Sequence, residues 1–79
     1  MIKIFFNQPF IYMILQQGFR GEDVKKLQEQ LNKIDYNLMV DGEFGHHTKN
    51  AVINFQRKKK LSVDGIVGDK TWNHLFEKK

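Results

Sequence analysis

VDGEFGHHT occupies residues 40–48 and VDGIVGDKT residues 63–71. Val, Asp, Gly, the later Gly and the closing Thr fall at matching offsets, and an apolar residue, Phe44 or Val67, precedes the second Gly. Six agreements in nine positions mark an internal repeat. Asp followed by Gly is a turn with a mechanism. The carboxylate accepts from a backbone N–H two residues on, and glycine supplies positive φ without steric cost. Asp41–Gly42 and Asp64–Gly65 therefore turn the chain in the same way. Val40 and Val63 are expected to enter from the core side, with Phe44 and Val67 returning the chain to the core. Gly45 and Gly68 stand where the next helix begins, as N-caps that allow close backbone approach. Thr48 and Thr71 follow three residues later, placed for their hydroxyls to reach back to free backbone groups in a variant capping box. The phrase is a rigid loop-to-helix connector, used twice.

The repeat is wider than the loops. VKKLQ at 24–28 matches VINFQ at 52–56, each just upstream of one phrase. Val24, Leu27, Leu31 and Ile34 recur at spacings of three, four and three, which is one face of a helix. Glu22 and Asp23 sit where its N-terminus favours carboxylates, and Asp35, Tyr36 and Asn37 end it. A second helix is expected from Gly45 or His46, with Ala51, Val52 and Phe55 facing inward and Leu61 rejoining the core after it. The basic run at 57–60 closes that helix. A short third helix over about residues 69–77 would bury Trp72, Leu75 and Phe76. Gln28 and Gln56 are placed to pin the loops from inside, since an amide offers donors and acceptors together. The first copy is longer between its Gln and its Val, to accommodate an extra turn ending at Ile34. Two such units bury their faces against each other and not alone. The fold class is all-α, a small three-helix bundle built from two loop-helix repeats with an apolar N-terminal arm.

At 79 residues the chain makes one domain. A chain of this size hides only about 60% of its unfolded surface, so its core must be compact. The absence of cysteine removes disulfides and thiolate chemistry without fixing a compartment. An apolar fraction of 41% with 28% charged residues is globular composition, and the net charge of +4 attracts anionic surfaces weakly at physiological salt. The opening MIKIFFNQPFIYMILQQ has only short apolar runs, split by Asn7, Gln8 and Pro9. They fall short of the roughly 20 residues of a membrane span and the uninterrupted core of a signal peptide. Residues 1–14 are therefore read as an apolar arm packing on a domain of residues 15–79, with a degenerate export signal as the alternative.

Catalytic signatures are missing. His46, His47 and His74 lack the spacing of a zinc site, because adjacent helical side chains point about 100° apart and no HExxH is present. Ser62 is the only serine and no nucleophile elbow surrounds it. Asp41 and Asp64 are explained as turn residues, and Glu22 with Asp23 as a helix start. DGEFG lacks the alternating oxygen ligands of a calcium loop. The cluster of residues 57–60 with Lys78 and Lys79 lacks interleaved aromatics and a recognition helix, which argues against nucleic acid.

These motifs, GFRGEDVKKLQ at 18–28, VDGEFG with Thr48, AV and FQ within 51–56, LSVDGIVG, and Thr71–Trp72, resemble the peptidoglycan-binding domain-like family. Its pattern, roughly L-x-x-G-x-x-G-x-x-V-x-x-LQ, DG-x-xG-x-x-T, AV-x-x-FQ, L-x-x-DG-x-xG-x-x-TW, covers residues 15–75, about three quarters of the chain. The resemblance implies a three-helix fold and a non-catalytic module of the bacterial cell wall or extracellular space. It implies no cofactor and no metal. Such modules are joined to an amidase, muramidase, peptidase or other wall hydrolase. Asp35 stands where the family often has Gly before an aromatic, a change expected to alter the helix end slightly. For glycan or stem-peptide contact the candidates are Tyr36, Gln56, Arg57 and Trp72, with Phe19 a further uncommitted aromatic and Trp72 read first as packing. Arg57 is placed to meet a stem-peptide carboxylate, and the lysine run to attract anionic wall polymers such as teichoic acid. The structural motif comprises Asp41, Gly42, Gly45 and Thr48 with Asp64, Gly65, Gly68 and Thr71. An intracellular protein- or nucleic-acid-interaction domain that keeps the fold without the wall ligand is the alternative.

Overall fold

The computed structural model describes residues 14–76. The expected apolar arm lies outside these residues except for Ile14, which is exposed. Three helices follow in order: α1 (Glu22–Lys33), α2 (His46–Lys58) and α3 (Asp69–Leu75). The repeat reading and the three-helix expectation both hold, and the described residues include no extended strand.

The buried face of α1 is Val24, Leu27 and Leu31, and α2 adds Ala51, Val52 and Phe55. Leu15, Phe44, Val67, Trp72 and Leu75 complete one core. Burying a side chain such as Leu27 or Phe55 stabilises by about 1.5–3 kcal/mol each, so this cluster carries most of the favourable energy. Glu22 and Asp23 fall in the first turn of α1, where carboxylates offset the positive helix end.

Both long helices stop in the same way. At α1, Asp35 N–H donates to Asn32 O (3.0 Å) and Tyr36 N–H to Leu31 O (3.1 Å). At α2, Lys60 N–H donates to Arg57 O (3.1 Å) and Leu61 N–H to Gln56 O (2.9 Å). This paired pattern is the Schellman motif, which needs a left-handed residue after the cap, usually glycine. Asp35 (φ 78°) and Lys60 (φ 61°) occupy those places. The departure at Asp35 therefore puts a non-glycine residue in left-handed backbone. Asn32 braces the chain beyond it, donating to Leu38 O (2.9 Å) and accepting from Leu38 N–H (2.7 Å).

The segment before α1 ties both loops together. Leu15 exchanges two backbone hydrogen bonds with Val67, of 3.1 and 2.8 Å. Gly18 N–H donates to Phe44 O, Phe44 N–H to Phe19 O and Gly21 N–H to Gly42 O, all at 2.9 Å.

Several expectations need correction. Ile34 is the C-cap of α1 and is exposed, because the Schellman turn swings it off the buried stripe. Val40 and Val63 are 38% and 46% exposed: a glutamine fills the inside of each turn, leaving no room for the preceding valine. α3 stops at Leu75, so Phe76 lies on the surface, stacked on Trp72 at 5.5 Å between ring centroids. Gly45 and Gly68 are N-caps as expected, but nothing lies within 4 Å of a Cβ placed at either. Close backbone approach is therefore not what glycine provides there. Thr48 and Thr71 make no cap hydrogen bond; they face inward, for the reason given next.

Candidate functional site

Each loop is built around one buried glutamine. Gln28 Nε2 donates to Asp41 Oδ1 (3.1 Å), Glu43 O (3.0 Å) and Thr48 Oγ1 (3.1 Å), and its Oε1 accepts from Gly42 N–H (2.9 Å). Gln56 Nε2 donates to Asp64 Oδ1 (3.0 Å), Ile66 O (2.9 Å) and Thr71 Oγ1 (3.1 Å). Its Oε1 accepts from the N–H groups of Asp64 (3.1 Å) and Gly65 (3.0 Å). An amide nitrogen has two protons and here meets three acceptors, so the bonds are shared and the group is saturated. The Asp carboxylates close the turns, each accepting from the N–H two residues on at 2.9 Å. The N–H of Glu43, with Gln28 in support, holds the Asp41 carboxyl below the usual range.

Gly42 and Gly65 have φ of +77° and +75°, the region where only glycine is unstrained. A Cβ on Gly42 would lie 3.3 Å from the Gly21 carbonyl oxygen, and one on Gly65 would meet the Lys49 side chain at 3.1 Å.

The two loops frame unequal grooves. Beside the first loop is a groove of about 710 Å³, reached past Asn37, Met39, Gly45, His46 and His47, with Asp41 and Glu43 on its wall. Its counterpart beside the second loop holds about 220 Å³. The difference comes from length: Gln and Asp are 13 positions apart in the first copy and 8 in the second. Part of the excess extends α1, as the sequence implies, and the rest raises residues 37–39 into a wall. Met39 is 76% exposed on that wall, and the His46 and His47 rings stack at 4.6 Å. Glu43 pairs with Arg20 at 3.3 Å on the surface.

A third groove, about 310 Å³, lies where the three helices end, between Tyr36, Phe55, Lys58, Lys59, His74 and Leu75. Tyr36 donates through its hydroxyl to Asn54 Oδ1 at 2.6 Å, and partial burial pushes its phenol above the usual value.

The sequence-derived candidates are not gathered in one place. Gln56 is 1% exposed and fully engaged in its loop, and Trp72 is 4% exposed in the core. Arg57 is exposed near the end of α2, and Tyr36 borders the third groove. Phe19 is partly exposed beside the first loop. Sequence reasoning missed Met39 and the His46–His47 pair as groove walls; the signal for them was the unequal Gln-to-Asp spacing. Among the described residues, no three His, Cys, Asp or Glu side chains gather closely enough to hold a metal ion, and no helix is long and apolar enough to cross a membrane.

The family described as "Putative peptidoglycan binding domain" matches residues 20–75. The chain belongs to that family. It is 45% identical over 71 residues to a spore cortex-lytic enzyme of Bacillus cereus, a match covering 89% of this chain and 27% of the relative. The crystal structure of the SleB N-terminal domain superposes with a TM-score of 0.77 at 45% identity, covering 81% of this chain and 89% of that one. A fused Zn-dependent amidase/peptidase/peptidoglycan-binding protein of Clostridium acetobutylicum gives a TM-score of 0.82 at 38% identity, covering 86% of this chain and 31% of that one. The chain thus spans about a quarter or less of the length of the curated relatives it matches.

Proposed function

We propose that this domain binds bacterial peptidoglycan noncovalently and holds a fused or associated wall hydrolase on its substrate. It performs no bond chemistry itself, and its place of action is the wall or cortex outside the membrane. The observation that carries this reading is the family match over residues 20–75, nearly the whole described body. The relatives support the second half: proteins named as a cortex-lytic enzyme, an amidase and a carboxypeptidase each match over only a fraction of their length. Tethering raises the local concentration of such an enzyme on an insoluble polymer without any new catalytic group.

The ligand seat on this reading is the first-loop groove. The saturated glutamine scaffold beneath it is rigid, so little is lost in ordering the site on binding. The stacked histidine rings and Met39 offer flat and apolar surface to a sugar face, while Asn37 and Asp41 offer polar atoms to amides and hydroxyls. None of the sequence-derived candidates lines this groove: Tyr36 and Arg57 are accessible elsewhere on the surface, and Gln56 and Trp72 serve as scaffold.

Co-sedimentation with insoluble peptidoglycan stripped of teichoic acid tests the reading. Retention at both low and high salt is expected. Retention only at low salt would reduce the domain to a generic polycation binder, and none at either would move it to an interaction role.

A further inference from the structure

The third groove differs from the first in charge. Asp41 and Glu43 wall the first-loop groove, whereas among the described residues no carboxylate lines the groove at the helix ends. Its floor is apolar, made by Phe55 and Leu75. Its rim carries Lys58 and Lys59, whose ammonium groups stand 6.0 Å from the centroids of the Tyr36 and Phe55 rings. Neither lysine forms an ion pair with a described residue. His74 donates through Nδ1 to the Lys70 carbonyl at 3.0 Å, which leaves Nε2 uncommitted.

We propose that this groove is a second wall contact, one that seats a phosphodiester polymer of polyol phosphate units. The proposal rests on the reading of the domain as a wall-binding module. Three helix C-termini meet here, each carrying about half a negative charge that fades within a turn. Lys58 and Lys59 answer with two full positive charges on side chains that reach beyond that turn. The balance favours an anion. Its class follows from the donors. A terminal carboxylate is held best by an Arg fork or by converging backbone N–H groups, and helix C-termini present carbonyls instead. Lysine ammoniums are compact point charges on flexible stems, and they hold phosphate through charge without needing a planar, bidentate approach. The aromatic and aliphatic floor accepts the C–H faces of the polyol between phosphates.

The test compares two doubly substituted domains of equal net charge: Lys58→Gln with Lys59→Gln in the groove, and Lys33→Gln with Lys60→Gln outside its lining. Each is sedimented with walls that retain glycerol-phosphate polymer and with the same walls stripped of it, and thermal melts verify folding. The groove variant should lose about fivefold or more in affinity for polymer-bearing walls, and the outside variant less than about twofold. Binding of both to stripped walls should match the unsubstituted domain. Equal losses in the two variants would replace the groove with diffuse attraction, and no loss in either would remove the site. A matching loss of the groove variant on stripped walls would assign the groove to glycan or peptide. Failure of the unsubstituted domain on stripped walls counts against the peptidoglycan reading alone.

Discussion

Gln28 on α1 and Gln56 on α2 share four hydrogen bonds to their respective loops, each reaching its threonine hydroxyl at 3.1 Å and its Asp carboxylate at 3.1 and 3.0 Å, and Gln56 adds a fifth from the Asp64 N–H. The internal repeat is therefore a repeat of one polar device and not only of a turn. Gln28→Leu would leave the Gly42 N–H and the Thr48 hydroxyl without their partner in a buried place. Each such group costs about 1–3 kcal/mol, a large share of the stability of a small domain. Thr48→Val should cost only about 1 kcal/mol, because two acceptors stay for the two amide protons. Urea unfolding of both variants checks this order; equal costs would contradict the shared-proton account.

The two Schellman turns predict stabilisation by glycine. A non-glycine residue in left-handed backbone costs about 1–2 kcal/mol, while glycine adds about 0.5–1 kcal/mol of unfolded-state entropy. Asp35→Gly and Lys60→Gly should each raise stability by about 0.5–1 kcal/mol, with Lys60→Gly ahead because Asp tolerates this region better. A fall in the melting temperature of Lys60→Gly would refute this.

The turn glycines share a backbone angle but not a neighbourhood. At Gly65 the nearest atoms are Lys49 Cε at 3.1 Å and Cγ at 3.3 Å, both on one flexible side chain; at Gly42 the nearest is the fixed carbonyl of Gly21. Gly65→Ala should therefore cost about 1–2 kcal/mol for backbone strain alone. Gly42→Ala should cost more, and Gly42→Val more again. Chemical denaturation of the Ala pair measures the difference directly.

Much of this fold was legible because its cues are local. The duplicated phrase gave the turns, the Val–Leu–Leu spacing gave α1, and the two glutamines pointed to loops pinned from within. The misreadings came from relationships that only tertiary structure sets. Nothing local says that Gln28 claims Thr48 before a helix cap does, or that the inside of the turn is full before Val40 arrives. Ile34 fits the helical stripe in sequence, and only the left-handed Asp35 after it takes it out of the core. The grooves were less legible still, since each joins segments far apart in the chain: Tyr36 with Leu75, and Gln28 with His47.

Asp41 links stability to pH. Its carboxyl is depressed in the folded state, chiefly by the Glu43 N–H and next by Gln28. The unfolded chain therefore binds the proton more readily. The resulting stability is present above the unfolded value of about 4 and is lost as pH falls through the folded one. Asp41→Asn should flatten the decline in urea midpoint between pH 7 and pH 3 relative to the unsubstituted domain. An unchanged slope would place the acid sensitivity elsewhere.

Binding and folding are separable at Gly45. It caps α2 with φ −97° in extended backbone, open to any residue, and nothing crowds a side chain placed there. It also borders the first-loop groove, so a side chain at this position would project where a ligand is proposed to lie. Asn is a good N-cap, and exchanging Gly for it changes helix stability by only a few tenths of a kcal/mol in its favour. Gly45→Asn should thus keep or slightly raise the melting temperature while reducing retention on stripped peptidoglycan. Met39→Ser should also weaken retention without destabilising, since its side chain is 76% exposed. Trp72→Ala makes the contrast: at 4% exposure it should cost about 3–5 kcal/mol and unfold much of the domain, losing binding only through the fold. Full retention by a folded Gly45→Asn, Met39→Ser double variant would move the ligand away from this groove.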